Sequence, residues 1–232
     1  MIKVWTDNRI TPEIKENLKN LGCEPLAVSA CEILGKPIAS HPDMNILSVY
    51  GKRFARQKTF VRENREDVFV SQGSEPLSYP EEAALNAVCI GNDFICCEKT
   101  VYKPALKFAR ECGLNVIFVR QGYVKCNITV VNETKKAIIT EDDGIAKALC
   151  ARGYNVLKLT THSVSLEPFP YGFIGGASGT FGEAVVFAGD IALHPEAEKI
   201  RAFCRRYEKE PISLGTGTLY DYGSLLAADD GK

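Results

Sequence analysis

The sequence has no apolar run of membrane-spanning length, no surplus of either charge, only three histidines, and no Cys-x-x-Cys or His-x-x-x-His spacing. Each scarcity removes a class of function. A helix needs about 20 consecutive apolar residues to cross a bilayer, so no membrane partner is expected. Twenty-eight Lys and Arg stand against twenty-nine Asp and Glu, with a pI near 6.3. That balance leaves no global field to draw nucleic acid or an anionic lipid surface. Without paired cysteine or histidine ligands no metal site is expected, and no cofactor motif stands out. The start, Met-Ile-Lys-Val-Trp-Thr-Asp, reads as strand and lacks a basic stretch followed by a long apolar one, so a cytoplasmic protein is expected.

What is present is an ordinary globular composition, 232 residues with 45% hydrophobic and 25% charged, enough to bury one large core. The nine cysteines are an odd number. Cys23, Cys89, Cys96, Cys112, Cys150 and Cys204 sit among apolar or helical neighbours, where reduced cysteine acts as a small hydrophobe, so free thiols are expected.

The strongest pattern is a repeat. Asn45, Asn86 and Asn127 are evenly spaced, 86 − 45 and 127 − 86 both being 41, and each opens a strand-like run: Asn-Ile-Leu-Ser-Val-Tyr, Asn-Ala-Val-Cys-Ile-Gly and Asn-Ile-Thr-Val-Val-Asn. A turn and a second apolar strand follow each, and in two units a helix and a third strand come next. The helix ends align too, since Gly113 and Gly153 each fall just past a helix, where φ > 0 is needed, and a β-branched strand follows. A fixed period of this kind predicts a stacked or radial array.

Residues 2–5 read as a strand, and Thr11-Pro12-Glu13 opens a helix with a cap and a first-position proline that stops at Leu21-Gly22. Residues 53–65 are strongly basic without helical period and read as a solvated loop or hairpin. A divergent unit follows residue 171, with strands at 184–187 and 190–193 and a helix from near Pro195 to near Tyr207. The final strand-like piece, 219–227, has no helix after it. The N-terminal strand and helix supply what it lacks, so joining the chain ends completes one more unit and removes exposed sheet edges. The expected organisation is one domain over 1–232, with units at 219–232 plus 1–35, 40–78, 80–121, 122–163 and 171–218.

Five units of this size, each a small mixed sheet with a helix outside, resemble the α/β pentein fold, the fold of the guanidine-modifying enzymes. Its members include arginine and agmatine deiminases, dimethylarginine dimethylaminohydrolase, amidinotransferases and the non-catalytic ribosome anti-association factor. The resemblance implies that residues at the start of each unit's first strand line one axial pocket. It also implies a Cys that attacks a guanidinium carbon, a His that moves protons, and carboxylates that hold the cation. Those roles match the chemistry: a guanidinium needs planar anionic acceptors, and its carbon needs a thiolate against it while a leaving amine is protonated.

On these grounds Cys126 is the expected nucleophile, the one cysteine at a repeat-equivalent position, with Lys125 beside it to lower its pKa. His41 and Asp43 resemble the family's His-x-Asp element and are the expected acid/base and carboxylate. Asn45, Asn86, Lys125, Asn127, Ser178 and Asp221 complete the expected substrate-binding set. His162 and His194 are weaker candidates. The alternative for His41 is a residue that merely precedes a Pro-Asp turn, and for Cys126 a small core residue.

The deiminases carry their Cys in a Gly-rich segment of the final unit, and Gly175-Gly-Ala-Ser-Gly179 stands there without one. Either Ser178 replaces the nucleophile, Cys126 acts from another unit, or the site binds without catalysis. A strand rather than a helix follows these glycines, which disfavours a phosphate cradle and leaves close backbone approach to a ligand or tight axial packing. Glu141-Asp142-Asp143 reads as a helix cap rather than a cation site. The expected partner is a small molecule with a cationic guanidinium-like group, acted on by a hydrolase or transferase; the other reading is a non-catalytic binding protein.

Overall fold

The computed structural model describes residues 1–62, 66–70, 74–160 and 162–228. Among them, short strands form five three-stranded sheets. The first has β1 (Ile2–Asp7) at its centre, β2 (Cys23–Val28) parallel on one side and β15 (Leu226–Ala227) antiparallel on the other. The remaining four follow in chain order: β3 (Ile46–Val49), β4 (Lys52–Ala55), β5 (Val68–Phe69); β6 (Val88–Ile90), β7 (Asp93–Cys97), β8 (Asn115–Val119); β9 (Thr129–Asn132), β10 (Ala137–Thr140), β11 (Asn155–Lys158); β12 (Ser178–Phe181), β13 (Ala184–Phe187), β14 (Glu210–Ser213). In each, the first strand is antiparallel to the second and the second parallel to the third.

A parallel pair needs a crossover, and α1 (Pro12–Asn20), α3 (Lys103–Glu111), α4 (Asp143–Cys150) and α5 (Ala197–Arg206) provide it in four sheets. Local chemistry sets their ends. Thr11 Oγ1 accepts the Ile14 N–H at 3.2 Å and Asp142 Oδ1 accepts the Ile145 N–H at 2.7 Å, so both helices start on a side-chain cap. Gly22, Gly113 and Gly153 leave α1, α3 and α4 at φ of +74°, +74° and +78°.

The β3–β5 sheet has a short 3₁₀ turn, Lys58–Phe60, instead of a helix. Each helix buries an i, i+4 pair against the preceding sheet: Ile145 and Leu149 of α4 pack with Ile95 and Ile117, and Ile14 and Leu18 of α1 with Val186 and Leu214. The core is therefore divided among the seams between neighbouring sheets. At the helix-less seam Phe60 fills the space, edge-on to Trp5 at 4.9 Å. No helix among the described residues is long and apolar enough to cross a membrane.

Three local readings differ from the structure. The strand expected at 190–193 is a 3₁₀ turn, because Asp190 Oδ1 accepts the Ala192 N–H and closes the chain on itself. Of the strand-like 219–227, only Leu226–Ala227 forms a strand, with Tyr220 in an isolated bridge to Ser165, because Gly223 and Ser224 turn the chain at φ of +69° and +67°. The basic stretch 53–65 starts in a hairpin arm, one of the two forms expected, but a buried one rather than a solvated one. Lys52–Ala55 is a strand, and Arg53 and Arg56 are buried; Arg56 donates to the carbonyls of Met44 and Glu82 at 2.8 and 2.7 Å. Residues 63–65 lie outside the described residues. All nine cysteines are free thiols, with Cys150 exposed rather than packed.

Candidate functional site

The inner strands β3, β6, β9, β12 and β15 approach one another around the axis, β3 beside β6, β9 beside β12, and β12 beside β15. Their leading segments meet at one end. A circuit of hydrogen bonds passes through all five: Asp43 N–H to Gly223 C=O at 3.0 Å, Ser224 N–H to Gly176 C=O at 2.7 Å, Gly176 N–H to Cys126 C=O at 2.9 Å, Cys126 N–H to Asn86 Oδ1 at 3.1 Å, and Asn86 Nδ2 to Asp43 C=O at 3.3 Å. The five units are thus stitched together by the residues that precede their strands.

Inside this circuit lies a buried polar cluster. Asp43, on the short helix α2 (Pro42–Asn45), accepts at Oδ2 from Ser224 Oγ at 2.7 Å and from Cys126 Sγ at 3.2 Å, while its Oδ1 has no hydrogen-bond partner. Asn86 Nδ2 donates to the same sulfur at 3.0 Å. Lys125 Nζ donates to Ser224 Oγ at 3.0 Å. His41 stands between two carboxylates, Nε2 3.8 Å from Asp7 Oδ2 and Nδ1 3.8 Å from Asp221 Oδ1, both beyond hydrogen-bond length. Asp7 is clamped by Arg9 through Nε and Nη2 at 2.8 and 2.7 Å. Asp221 accepts the N–H groups of Phe173 and Gly223, both at 2.9 Å.

Burial sets the protonation states. It pushes the Cys126 thiol well above its ordinary range, and the Asp43 and Asp221 charges push it further. This is the reverse of the lowering expected from Lys125, whose own pKa burial depresses despite attraction by Asp43, Cys126 and Asp221. The resting thiol is a hydrogen-bond donor. Asp221 is raised, by burial first, with His41 opposing and Asp43 adding to the shift.

The other expected residues divide. Asn45 Nδ2 donates to the carbonyls of Ala39 and His41, both at 2.9 Å, and Asn127 Nδ2 to Tyr123 C=O at 2.8 Å. Both fasten their own turns, and of the three repeating asparagines Asn86 alone enters the cluster. Ser178 Oγ is engaged by Thr129 Oγ1 at 2.8 Å and donates to Gly175 C=O at 3.2 Å, which commits it to packing around β12. His162 stacks on Tyr171 at 4.2 Å, and His194 Nδ1 accepts the Glu196 N–H at 3.0 Å. The close approach at the glycine-rich segment serves the protein itself: a Cβ on Gly176 would overlap the Asp221 carboxylate, and one on Gly175 would lie 2.5 Å from Lys125 C=O.

Three members escaped the sequence reading. Ser224 and Asp7 belong to the cluster, and Glu141 flanks it. Glu141 Oε2 accepts the Ile174 N–H at 3.0 Å, its buried Oε1 has no hydrogen-bond partner and lies 3.9 Å from His162 Nδ1, and burial raises its pKa to about 7. Around it runs a row of rings, Tyr79, Tyr123, Phe173 and Tyr171, with successive centroids 5.8, 6.1 and 6.0 Å apart. Tyr123 Oη donates to Glu82 Oε1 within this row.

The cluster is closed, not the open pocket expected. A cavity of about 500 Å³ lies along the inner strands instead, and of the cluster only Lys125 lines it. Among the described residues no group of three His, Cys, Asp or Glu is placed to hold a metal ion.

No curated protein matches the chain. Among solved structures it is similar to a cysteine-to-serine mutant of DDAH from Pseudomonas aeruginosa complexed with citrulline, with a TM-score of 0.60, 9% identity and 93% of each chain covered. It is also similar to an adduct of dimethylarginine dimethylaminohydrolase with S-methyl-L-thiocitrulline, with a TM-score of 0.57, 10% identity and 93% of each chain covered. The fold is the pentein fold. A family model described as "Family of unknown function (DUF6873)" matches residues 5–226.

Proposed function

We propose that this chain, which belongs to the family of unknown function DUF6873, acts on a small compound with a guanidinium or related C–N centre, bound where the inner strands begin. The observation that carries this reading is the Cys126 thiol, 3.2 Å from Asp43 Oδ2 and in the field of Asp221, whose Oδ1 lies 3.8 Å from His41 Nδ1. A planar cation stacks on the faces of Tyr123 and Phe173 and donates to Glu82, Glu141 and Asp221. The citrulline and S-methyl-L-thiocitrulline held by the structural neighbours support this ligand class.

The same cation activates the thiol. A unit charge about 4 Å from the sulfur is worth about 4 kcal/mol at an effective dielectric of about 20, which is about three pKa units. That acts against the upward push of burial and Asp43. Asp43 takes the proton, and Cys126 Sγ bonds to the guanidinium carbon. The C–N bond to the leaving amine breaks as His41 delivers a proton to the nitrogen. Water then attacks the thio-linked carbon and gives a proton back to His41, and the C–S bond breaks as the proton held by Asp43 returns to the sulfur, restoring the thiol.

A second reading, binding without catalysis, is favoured by one observation: Cys126 is buried, and that burial pushes its thiol well above the ordinary range. Intact-mass spectrometry and calorimetry with arginine, agmatine and methylated arginines separate the two. A mass increment on Cys126, or amine release lost in Cys126→Ser, supports the enzyme. Binding that Cys126→Ser preserves, with no increment, supports the binder. If no guanidino compound binds or reacts, the reading fails.

A further inference from the structure

We propose that the cavity along the inner strands is a second ligand site, one that takes a small organic monoanion, an apolar body ending in a carboxylate that meets Lys125 Nζ. This inference does not depend on the guanidinium reading, because it concerns a different space and a ligand of opposite charge.

The cavity holds about 500 Å³, within the range of about 300 to 1,000 Å³ of small-molecule sites. Its wall is apolar, built by Trp5, Ile46, Val88, Phe181 and Leu226. Lys125 is the single cation among the lining residues, and Glu133 the single anion. The two are kept apart by β9, because Lys125 precedes Thr129–Asn132 and Glu133 follows it. Four strand residues at about 3.3 Å each separate them by about 13 Å. Glu133 accepts the Gly91 N–H at 2.8 Å. The cavity therefore has one cationic end and one acidic rim, with hydrocarbon between.

Lys125 lines the cavity while Asp43 and Asp221 attract its charge from the cluster side. Its partners are Ser224 Oγ at 3.0 Å and Ile128 C=O at 3.4 Å, so two of its three donors are used, the second at long range. An incoming carboxylate accepts the third N–H in a charge-assisted hydrogen bond. Phosphate is disfavoured by the composition of this end, which offers one lysine, no arginine and no helix N-terminus among the lining residues. A guanidinium or ammonium ligand is repelled by Lys125.

Calorimetry on the intact chain with 3-phenylpropanoate and hexanoate, each paired with its isosteric alcohol, tests the site. The acids are expected to bind at least tenfold more tightly than the alcohols. Lys125→Met, checked by circular dichroism, should abolish that preference. Ser48→Phe, which fills the wall and leaves Lys125 in place, should weaken acid and alcohol alike and reports on the site even if Lys125→Met does not fold. Equal affinity of acid and alcohol, an acid preference that survives Lys125→Met, or no binding of either acid at millimolar concentration overturns the proposal.

Discussion

Asp43 and Ser224 lie 181 residues apart in the chain and meet at 2.7 Å, hydroxyl donating to carboxylate, at the point where the first and last segments of the ring cross. Asp43 Oδ2 receives two donors, Ser224 and Cys126, while Oδ1 receives none. A buried carboxylate with so few donors has room at Oδ1 for one more.

Removing the Ser224 hydroxyl leaves Asp43 with the weak thiol donor alone. Ser224→Ala is expected to destabilise the fold by about 1–3 kcal/mol, the cost of leaving a buried charged acceptor short of a partner. Urea unfolding measures it, and an unchanged midpoint would show that the contact carries no stability.

The thiol state predicts a labelling order. At neutral pH, iodoacetamide should modify exposed Cys150 first and leave buried, protonated Cys126 intact. Asp43→Asn removes the largest charge contribution to the Cys126 shift. It should speed Cys126 alkylation at fixed pH, by up to about tenfold for each pKa unit recovered. Peptide mapping decides, and slower or unaltered labelling would remove Asp43 as a cause of the shift.

Glu141 gives the pH dependence of stability. Its folded pKa of about 7 is raised from 4.5, so the folded chain binds the proton more tightly than the unfolded chain. Stability from this group is full below about 4.5 and lost as pH rises through 7, by no more than about 3 kcal/mol. Glu141→Gln keeps the acceptor for Ile174 and should flatten the urea midpoint across pH 4.5–8. A slope in that window equal to the parent's would assign the titration elsewhere.

Gly223 sits at φ +69°, and a Cβ there would overlap the His41 side chain. Gly223→Ala should therefore cost more than about 3 kcal/mol through combined backbone strain and overlap in a packed site. Thermal unfolding measures the loss; a shift of less than a few degrees would mean the axial end is far more yielding than its packing implies.

Local features were legible in the sequence because their causes are local. The Thr11 cap, the glycines after three helices and the even spacing of Asn45, Asn86 and Asn127 each reflect chemistry within a few residues or one unit. The spacing also led to Asn86 and Cys126, which meet across units. Extending it to Asn45 and Asn127 as ligand groups failed, since equivalent positions on a ring need not present their side chains inward and these two amides close their own turns. Ser224 was hidden for a different reason: its inward aim depends on two consecutive left-handed residues, which no hydrophobic period signals. Arg53 and Arg56 read as solvated because charge usually is. Their guanidinium groups are instead spent on backbone carbonyls of other segments, Arg53 on Ala228 and Arg56 on Met44 and Glu82.

The seam between β1 and β15, with Val4 opposite Ala227 and Trp5 opposite Leu226, joins segments from widely separated parts of the sequence. Until it forms, β1 keeps one edge unpaired, a template on which another chain can add a strand. Asp43 likewise lacks its Ser224 donor. A chain in which this seam has opened therefore presents an unpaired strand edge and an incomplete cluster together.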